Sequence, residues 1–202
     1  SATTDGGFGA IRAITAIARL KRVELLVACD VTTTFTDAAA VFGPQKGASP
    51  AQVEMLTRRL ERLVQMFRDD FDVDVGSIPG GGAAGGLGGA LAALGGKLLP
   101  GFELVADELD LYDQLDGADL VITGEGLLDA TSFAGKVVGG VAAVATDMGI
   151  PVLAVVGSVA TGTDVHDLEV LSLVDLVGED IAFREPKRAI EQAVAGWITA
   201  GS

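Results

Sequence analysis

Cysteine and histidine each occur once in this chain of 202 residues. With Cys29 alone, no intrachain disulfide can form, which fits a protein of the reducing cytoplasm. With His166 alone, a metal site built on histidine pairs is disfavoured. Apolar residues flank Cys29, so we interpret it as a core residue rather than a nucleophile.

Positive charge is scarce as well. The chain has 14 lysine and arginine residues against 28 aspartates and glutamates, which gives a net charge of −14. Nucleic acid is therefore an unfavourable partner, because a basic surface supplies most of the affinity for it. A small anionic ligand stays compatible with this composition, since a few local cations and helix N-termini are enough to bind one.

Apolar runs are frequent but short. Hydrophobic residues make up 49% of the chain, which suffices for a substantial core. No run reaches membrane-spanning length, so we expect no membrane partner. The first residues, SATTDGGFG, look like the middle of a loop rather than a natural start. We therefore expect the chain to be a fragment whose N-terminal part is missing.

The spacing of apolar residues predicts strands alternating with helices. Apolar runs predict strands at 23–31 and 151–157, a strand with its exit loop at 118–126, and a further strand within 168–177. Helices are predicted at 50–67, 102–115, 136–148 and 185–200. We interpret the acidic stretch 69–75 as a connection or short strand. Residues 79–101 indicate a glycine-rich loop that runs into a helix of small residues.

From residue 118 onward, the order of elements is strand–helix–strand–strand–helix. This order predicts an open parallel α/β sheet, with two of its strands buried on both faces. Ligands in such folds bind beyond the carboxyl ends of the strands. Gly124-Glu125-Gly126 and Gly157-Ser158 both fall at such ends.

The segment 119–136, DLVITGEGLLDATSFAGK, is the first candidate for chemistry. Flanking glycines let the carboxylate of Glu125 approach a ligand closely, and Glu125 and Asp129 could hold Mg²⁺ directly or through water. Lys136 opens a helix, where a cation is unfavourable unless an anion such as phosphate binds there. The alternative is a tight turn with solvated charges.

The run PGGGAAGGLGG is the second candidate and contains a Gly-x-Gly-x-x-Gly pattern from Gly80 to Gly85. As a nicotinamide-binding signal it is weak, because no good strand precedes it. Two interpretations remain open. The run forms a backbone-amide cradle for an anion at a helix N-terminus, or it allows close packing of a helix.

Three further charged residues lie in turns or at a strand end. Lys46 belongs to a rigid Gly-Pro-Gln-Lys-Gly corner. It is either a plain surface lysine or a point charge directed at a phosphate or carboxylate. Asp5, in a glycine turn, and Asp30, at the end of the first strand, are each either a general base or a turn-forming residue.

Five motifs, in this order, resemble the bacterial type I glycerate kinase family and in particular an actinobacterial branch of it. The motifs are SATTDGGFG, ACDV, VFGPQKGA, GGGAAGGLG and TGEGLLDATSFAGKVVGGVA. The resemblance covers nearly the whole chain. It implies ATP- and Mg²⁺-dependent phosphate transfer to D-glycerate by a cytoplasmic enzyme, with no nucleic acid or membrane partner.

The resemblance also implies a domain organisation. A flavodoxin-like domain with an open parallel sheet carries an inserted α/β domain, and the site lies in the cleft between them. We accordingly expect residues 1–100 to form the inserted domain, with loops that face substrate and phosphate. We expect residues 101–202 to form the C-terminal part of the flavodoxin-like domain.

Residue by residue, the resemblance implies catalytic roles for Asp5, Asp30, Lys46 and Lys136, and metal binding by Glu125 and Asp129. The residues expected to contact nucleotide or phosphate are Gly80, Gly81, Gly82, Gly85, Gly86, Gly124, Gly126, Ser132 and Gly135. In the implied mechanism the two lysines neutralise developing charge. The amides of 80–86 hold phosphate or the glycerate carboxylate, and Asp5 or Asp30 accepts the hydroxyl proton.

The sequence departs from the family pattern at several positions. Residues 32–35 are TTTF where the family usually has Asn-Pro-Leu. Leu127 stands where the family often has arginine, and Thr131 lies near a position that is commonly glutamine. These differences concern the acceptor more than the phosphoryl donor, so a kinase of another small hydroxy acid is one alternative. A non-catalytic ligand-binding relative is the other. The phosphorylated hydroxyl and the oligomeric state stay open, with a homodimer as one alternative.

Overall fold

The computed structural model describes residues 3–20, 22–133 and 135–201. The chain divides into two compact units, Ser1–Gly101 and Phe102–Ser202. Every strand pairing in the described part of the chain is parallel, and helices accompany the strands in both units. The predicted α/β fold class is confirmed. None of the described helices is both long and apolar enough to cross a membrane.

The first unit combines helices with one pair of short strands. Its elements are α1 (Phe8–Ala13), α2 (Ile17–Leu20), β1 (Leu26–Ala28), α3 (Ala38–Phe42), α4 (Pro50–Phe71), α5 (Ala83–Ala93) and β2 (Lys97–Leu99), and α6 (Gly101–Glu108) begins at its last residue. Two short 3-10 turns, Pro44–Lys46 and Val75–Ser77, lie between these elements.

Helix α4 is the longest element of this unit, and local chemistry fixes its start. Ser49 accepts a hydrogen bond from the amide of Gln52, and the Gln52 side chain accepts one from the amide of Ser49, a reciprocal cap. Pro50 fits the first helical turn because its missing N–H would have no partner there. The helix runs to Phe71, beyond the predicted end, so the short strand considered for 69–75 is absent from the described residues.

The core of the first unit lies between α4, α5 and the segment that precedes α3. Phe35, Leu60 and Phe67 are fully buried. The Phe35 and Phe67 rings meet edge to face, with centroids 5.9 Å apart. Phe35 thereby holds the TTTF segment in the core.

The strand pair β1–β2 differs from the prediction. The strand predicted over 23–31 is limited to three residues, and Leu26 is 36% exposed rather than buried. Strand β2 was not predicted, because its three residues lie directly after the glycines that end α5. The two strands are parallel, with Leu26 opposite Lys97. Cys29, interpreted as a core residue, is half-buried, and its Sγ–H donates to the carbonyl of Val31 at 3.2 Å.

The second unit contains the larger sheet. After α6 its elements are α7 (Leu111–Leu115), β3 (Val121–Thr123), β4 (Leu127–Leu128), α8 (Val137–Asp147), β5 (Val152–Val156), β6 (Ser158–Val159), β7 (Glu169–Ser172), α9 (Leu173–Val177), α10 (Glu179–Arg184) and α11 (Pro186–Thr199). Strands β3, β5 and β7 form a parallel sheet in that order, and β4 pairs with β6.

One prediction for this unit needs correction. The segment 102–115 is two helices rather than one, because Asp110 adopts a left-handed conformation between them. The strand predicted within 168–177 is present as Glu169–Ser172, and α9 follows at once. The amide of Val174 donates to the carbonyl of Gly157 rather than to a strand ladder, so the chain leaves the sheet there.

Strand β5 is the buried centre of the sheet. Leu153 and Val155 pack against α9, α10 and α11, whereas Ala154 and Val156 pack with Leu128 and Val138 on the other side. The expectation that two strands are buried on both faces holds for β5 but not for β3. Ile122 of β3 is 51% exposed because β3 is an edge strand of this sheet among the described residues.

Candidate functional site

The loop from residue 124 to residue 136, called here the β3–α8 loop, leaves the carboxyl end of β3. Gly124 passes so close to β5 that a Cβ would lie 2.1 Å from the carbonyl oxygen of Val155. The carbonyl of Glu125 then accepts from the amide of Gly157, and that of Gly126 from the amide of Ser158. Because residue 124 is a glycine, the segment that leaves β3 can approach and hydrogen-bond to the segment that leaves β5. This happens at the edge of the sheet where α/β folds bind ligands.

Asp129 organises the middle of this loop. Its Oδ1 accepts from the amide of Thr131 at 2.8 Å, from the Thr131 hydroxyl at 2.6 Å and from the amide of Ser132 at 3.2 Å. In return, the amide of Asp129 donates to Oγ of the fully buried Ser132 at 3.0 Å. Much of the accepting capacity of Oδ1 is thus used within the loop.

These bonds change the ionisation of Asp129. The hydroxyl of Thr131 is the largest cause of a pKa of the Asp129 carboxyl below its ordinary value. The amides of Thr131 and Ser132 and the charge of Lys136 act in the same direction, and partial desolvation opposes them. Asp129 is therefore a carboxylate at neutral pH.

Lys136 is the N-cap residue of α8, as the sequence predicted for a lysine that opens a helix. Its Nζ donates to the Thr131 hydroxyl and lies 3.9 Å from Oδ1 of Asp129, and its side chain is half-exposed. A cation at the positive end of a helix is compensated here by a carboxylate and stays open to an anion from solvent. Ala134, which precedes Gly135, lies outside the described residues.

Glu125 is the residue whose surroundings fit a cation best. One carboxylate oxygen, Oε1, is buried and has no hydrogen-bond partner in the described part of the chain. A buried carboxylate oxygen without a donor is costly unless a ligand completes it. No cluster of three or more metal-ligating side chains occurs among the described residues. Glu125 fits Mg²⁺, which binds through one or two carboxylates and keeps several waters.

In the first unit, Asp5 lies in the turn that precedes α1. Its Oδ1 accepts from the amide of Gly7 at 3.1 Å and its Oδ2 from the amide of Gly9 at 3.0 Å. The turn-forming role considered for Asp5 is thus present. Asp5 also lines a cavity of about 370 Å³ whose wall on α4 includes Arg59, Leu60 and Arg62.

Lys46 ends the 3-10 turn Pro44–Lys46, and Gly47 follows in a left-handed conformation. The ammonium lies 5.5 Å from the ring centroid of Phe42, within cation–π range. Lys46 lines a second cavity of about 280 Å³, and Thr4 borders both cavities. The predicted residues Asp5 and Lys46 are thereby brought to neighbouring cavities.

Asp30 follows β1 and binds the start of α6, which is distant in sequence. Its Oδ1 accepts from the amide of Gly101 at 2.8 Å. An aspartate at this position satisfies a free amide of the first turn of α6. Asp30 is exposed and has a structural bond of its own, so the alternative of a turn-forming or capping residue accounts for it.

The glycine-rich run packs closely against the rest of the first unit. A Cβ at Gly85 would lie 2.0 Å from the carbonyl oxygen of Thr3, and one at Gly86 would lie 2.6 Å from Cα of Gly6. The amides of Gly81, Gly82 and Gly86 donate to the carbonyls of Ile78, Thr33 and Gly82. The predicted anion cradle does not fit at these three residues, since their amides are already bonded, and the packing alternative does.

Sequence reasoning missed two arginines beside Asp5. Arg59 and Arg62 of α4 line the Asp5 cavity, although no motif in the sequence marks them. Neither forms an ion pair with a described residue, unlike their neighbour Arg58. Charge distribution is the signal that could have found them. Residues 1–101 carry ten basic and ten acidic residues, whereas residues 102–202 carry four basic and eighteen acidic ones.

The fold and these side chains define a class of protein. A parallel α/β unit with carboxylates, a buried serine and a helix-opening lysine at the carboxyl edge of its sheet is typical of proteins that bind small phosphorylated or anionic ligands. The cation-lined cavities of the first unit agree with such a ligand.

Comparison with known proteins agrees with this class. The model of the glycerate kinase family matches residues 15–198, and the chain belongs to that family. The chain is 40% identical over 184 residues to a glycerate kinase of Halalkalibacterium halodurans, covering 87% of this chain and 48% of that protein. It is 42% identical over 175 residues to a glycerate 2-kinase of Escherichia coli K12, covering 82% of this chain and 46% of that protein.

A solved structure shows the same relationship. The crystal structure described as glycerate kinase 2 of Salmonella typhimurium LT2 superposes with a TM-score of 0.73 at 34% sequence identity, covering 97% of this chain and 62% of that chain. The chain spans about half the length of the curated relatives it matches.

Proposed function

We propose that the full-length gene product carrying this chain transfers a phosphate from ATP to D-glycerate. The observation that carries the proposal is the β3–α8 loop, in which Glu125, Asp129 and Lys136 lie at the carboxyl edge of a parallel sheet in a member of the glycerate kinase family. Two relatives at about 40% identity are named glycerate kinase and glycerate 2-kinase.

The β3–α8 loop binds the phosphoryl donor. Lys136 places its positive charge at the N-terminus of α8, where a phosphate also meets the free amides of the first turn. Asp129 and Thr131 hold the Lys136 side chain in position. A fixed cation of this kind neutralises the charge that develops on the transferred group, which is the main catalytic requirement of phosphoryl transfer.

Glu125 is the residue that would hold Mg²⁺, and Asp129 would support it from within the loop. When bound, Mg²⁺ screens the charge of the ATP phosphates and orients them. The buried Oε1 of Glu125 supplies one oxygen ligand, because it has no donor in the described part of the protein. The Oδ1 atom of Asp129 is engaged with Thr131 and Ser132, so Asp129 contributes mainly by shaping the loop.

The first unit binds the acceptor. Asp5 accepts the hydroxyl proton of the acid, because its carboxylate borders a cavity and keeps accepting capacity beyond its two amide bonds. Arg59 and Arg62 line the same cavity and supply the positive charge that a carboxylate substrate requires. Lys46, at the neighbouring cavity, adds positive charge for the same anionic acceptor.

The test is a coupled assay of ADP release with ATP, Mg²⁺ and D-glycerate, run on the full-length gene product and on this chain separately. We expect glycerate-dependent ADP release by the full-length gene product. A panel of other small hydroxy acids is run in parallel, because the TTTF segment and Leu127 depart from the family pattern. If ADP is released only with another hydroxy acid, that acid and not glycerate is the acceptor. If no acid leads to ADP release, a non-catalytic ligand-binding protein is favoured.

Lys136→Ala tests the site assignment. We expect kcat/KM to fall about 100- to 1,000-fold, as for the loss of a charge-stabilising group. Lys187→Ala is the matched control, since Lys187 also lies in the first turn of a helix but is 91% exposed and faces Glu191. Equal effects of the two substitutions, or a rate for Lys136→Ala within a few-fold of the wild type, would remove Lys136 from the site.

A further inference from the structure

His166, the single histidine of the chain, lies in a turn of the second unit with an unusual backbone conformation. Its φ is +53°, in the left-handed region that residues with a side chain seldom adopt. Its amide donates to Oδ1 of Asp164 at 2.9 Å, which stabilises the turn. Backbone conformations of this kind persist only where the surroundings hold them, and they often mark functional sites. The turn therefore fixes where the imidazole ring lies.

The imidazole ring is in contact with Phe133, which ends the 3-10 turn Ala130–Phe133 of the β3–α8 loop. The two rings meet edge to face, with centroids 4.9 Å apart and an interplanar angle of 85°. Val165 and Leu168 pack against the same apolar cluster as Phe133. The segment that carries His166 thus contacts the loop that carries the candidate site.

Phe133 is joined to the charged groups of the β3–α8 loop by short contacts. Its neighbour Ser132 is fully buried, and Oγ of Ser132 accepts from the amide of Asp129 at 3.0 Å. A Cβ at Gly139 would lie 2.6 Å from the carbonyl oxygen of Ser132 and 2.7 Å from Cα of Phe133, so the 3-10 turn packs directly on the first turn of α8. That helix starts after its N-cap residue, Lys136. A shift of Phe133 would therefore disturb both Asp129 and Lys136.

The apolar cluster does not enclose the Phe133 ring completely. Phe133 is half-buried, and together with His166 and one side of α8 it lines a cavity of about 780 Å³. A ring beside an open cavity lacks packing contacts on that side, which gives it room to move. The edge-to-face contact with His166 restricts this movement.

We propose that His166 is a positioning residue for the β3–α8 loop. Its imidazole ring holds the ring of Phe133, and the 3-10 turn then keeps Asp129 and Lys136 in the arrangement that binds the phosphoryl donor. Because the contact is between two aromatic rings, a phenylalanine at position 166 should replace the histidine. The proposal rests on the proposed function in one respect, that this loop binds the donor.

Amide hydrogen exchange of the full-length gene product, measured without nucleotide, tests this contact. The amides of Thr131 and Ser132 donate to Oδ1 of Asp129, so their exchange rates report how often the turn opens. His166→Asn removes the ring but suits the left-handed backbone, since asparagine adopts that conformation readily. We expect it to raise these exchange rates roughly 3- to 10-fold, the effect of losing one edge-to-face ring pair.

Two further variants serve as controls for the exchange measurement. His166→Phe keeps an aromatic ring, so its exchange rates should stay within about two-fold of the wild type. Asp167→Ala alters the next residue, which lines the same cavity, and should leave the exchange rates unchanged. Unchanged exchange at Thr131 and Ser132 in His166→Asn would overturn the proposal, as would equal increases in His166→Asn and His166→Phe.

Steady-state kinetics separates positioning from a loss of folded protein. Fewer folded molecules would lower the apparent kcat and leave both KM values unchanged. We expect His166→Asn to raise KM for ATP roughly 3- to 10-fold, to leave KM for the acceptor unchanged, and His166→Phe to restore KM for ATP. A lower kcat with unchanged KM for ATP would mean that His166 only stabilises the fold.

The role of His166 and the proposed function can fail independently. Exchange in the 3-10 turn that depends on His166, in a gene product that releases no ADP with any acid, would overturn the proposed function and leave the positioning of the loop standing. Glycerate-dependent ADP release, with exchange and KM for ATP unaltered in His166→Asn, would overturn the role of His166 alone.

Discussion

Lys136 reaches Asp129 through an intervening hydroxyl. Its Nζ is 3.9 Å from Oδ1 of Asp129, and both atoms bond to Oγ1 of Thr131, which donates to Oδ1 at 2.6 Å. Thr131 is thus part of the charge arrangement of the β3–α8 loop. The loop keeps its lysine in place and leaves half of that side chain exposed to a ligand.

The ionisation of Asp129 should depend on Thr131. Because the Thr131 hydroxyl is the largest cause of the lowered pKa, Thr131→Val should raise the pKa of Asp129 toward its ordinary value. A carbon-detected NMR titration of the Asp129 carboxyl measures this. Thr163→Val is the control and should leave the titration of Asp129 unchanged. An unaltered pKa in Thr131→Val would show that this hydroxyl does not stabilise the carboxylate.

The lowered pKa of Asp129 also determines how the stability of the protein should depend on pH. A carboxyl whose pKa is lowered by folding contributes stability that is complete above its ordinary unfolded pKa. That contribution is lost as the pH falls through the lowered pKa that the carboxyl has in the folded protein. The wild type should therefore lose more stability on acidification than Thr131→Val, as measured by urea unfolding at neutral and acidic pH.

Asp5 and Asp30 should respond differently to substitution by asparagine. Asp5 borders a cavity with two arginines, whereas Oδ1 of Asp30 accepts from the amide of Gly101. Loss of a general base typically costs 100- to 10,000-fold, so Asp5→Asn should lower kcat by at least about 100-fold with a smaller change in KM. Asp30→Asn keeps an acceptor for Gly101 and should stay within a few-fold. The reverse pattern would make Asp30 the base.

Gly85 should tolerate no side chain. Its φ is +71°, and a Cβ would lie 2.0 Å from the carbonyl oxygen of Thr3. Gly85→Ala should lower the free energy of unfolding by about 3 kcal/mol or more, since backbone strain adds to the overlap. Gly47→Ala is the matched control, because Gly47 has φ +83° and no atom within 4 Å of its Cβ position. It should cost about 1 kcal/mol, and equal costs would contradict the packing role of Gly85.

Phe35 should be a principal stabilising residue of the first unit. It is fully buried and meets Phe67 edge to face. Phe35→Ala should cost about 3–5 kcal/mol in the free energy of unfolding. Phe183→Ala, at a ring that is 65% exposed, should cost about 0.5 kcal/mol or less. A small loss for Phe35→Ala would mean that the TTTF segment is not anchored in the core.

Periodicity and end signals predicted the longer elements. Helices α4, α8 and α11 form where spacing, a proline at the first turn and small residues indicated them. These signals are local, so tertiary contacts were not needed to find them. The short elements were missed. Strand β2 has three residues, and α9 begins within an apolar run because Val174 bonds to Gly157, a contact made across the sheet.

The sequence by itself determined the chemistry available to this protein. Its order of motifs indicated the family, and its glycine-flanked carboxylate and helix-opening lysine identified the β3–α8 loop. Tertiary structure decided which of these groups are free. It showed bonded amides at Gly81, Gly82 and Gly86, and it left Oε1 of Glu125 without a hydrogen-bond partner among the described residues. The physical reason is that a residue's type fixes what it can bind, whereas strand register and packing fix which partners it already has.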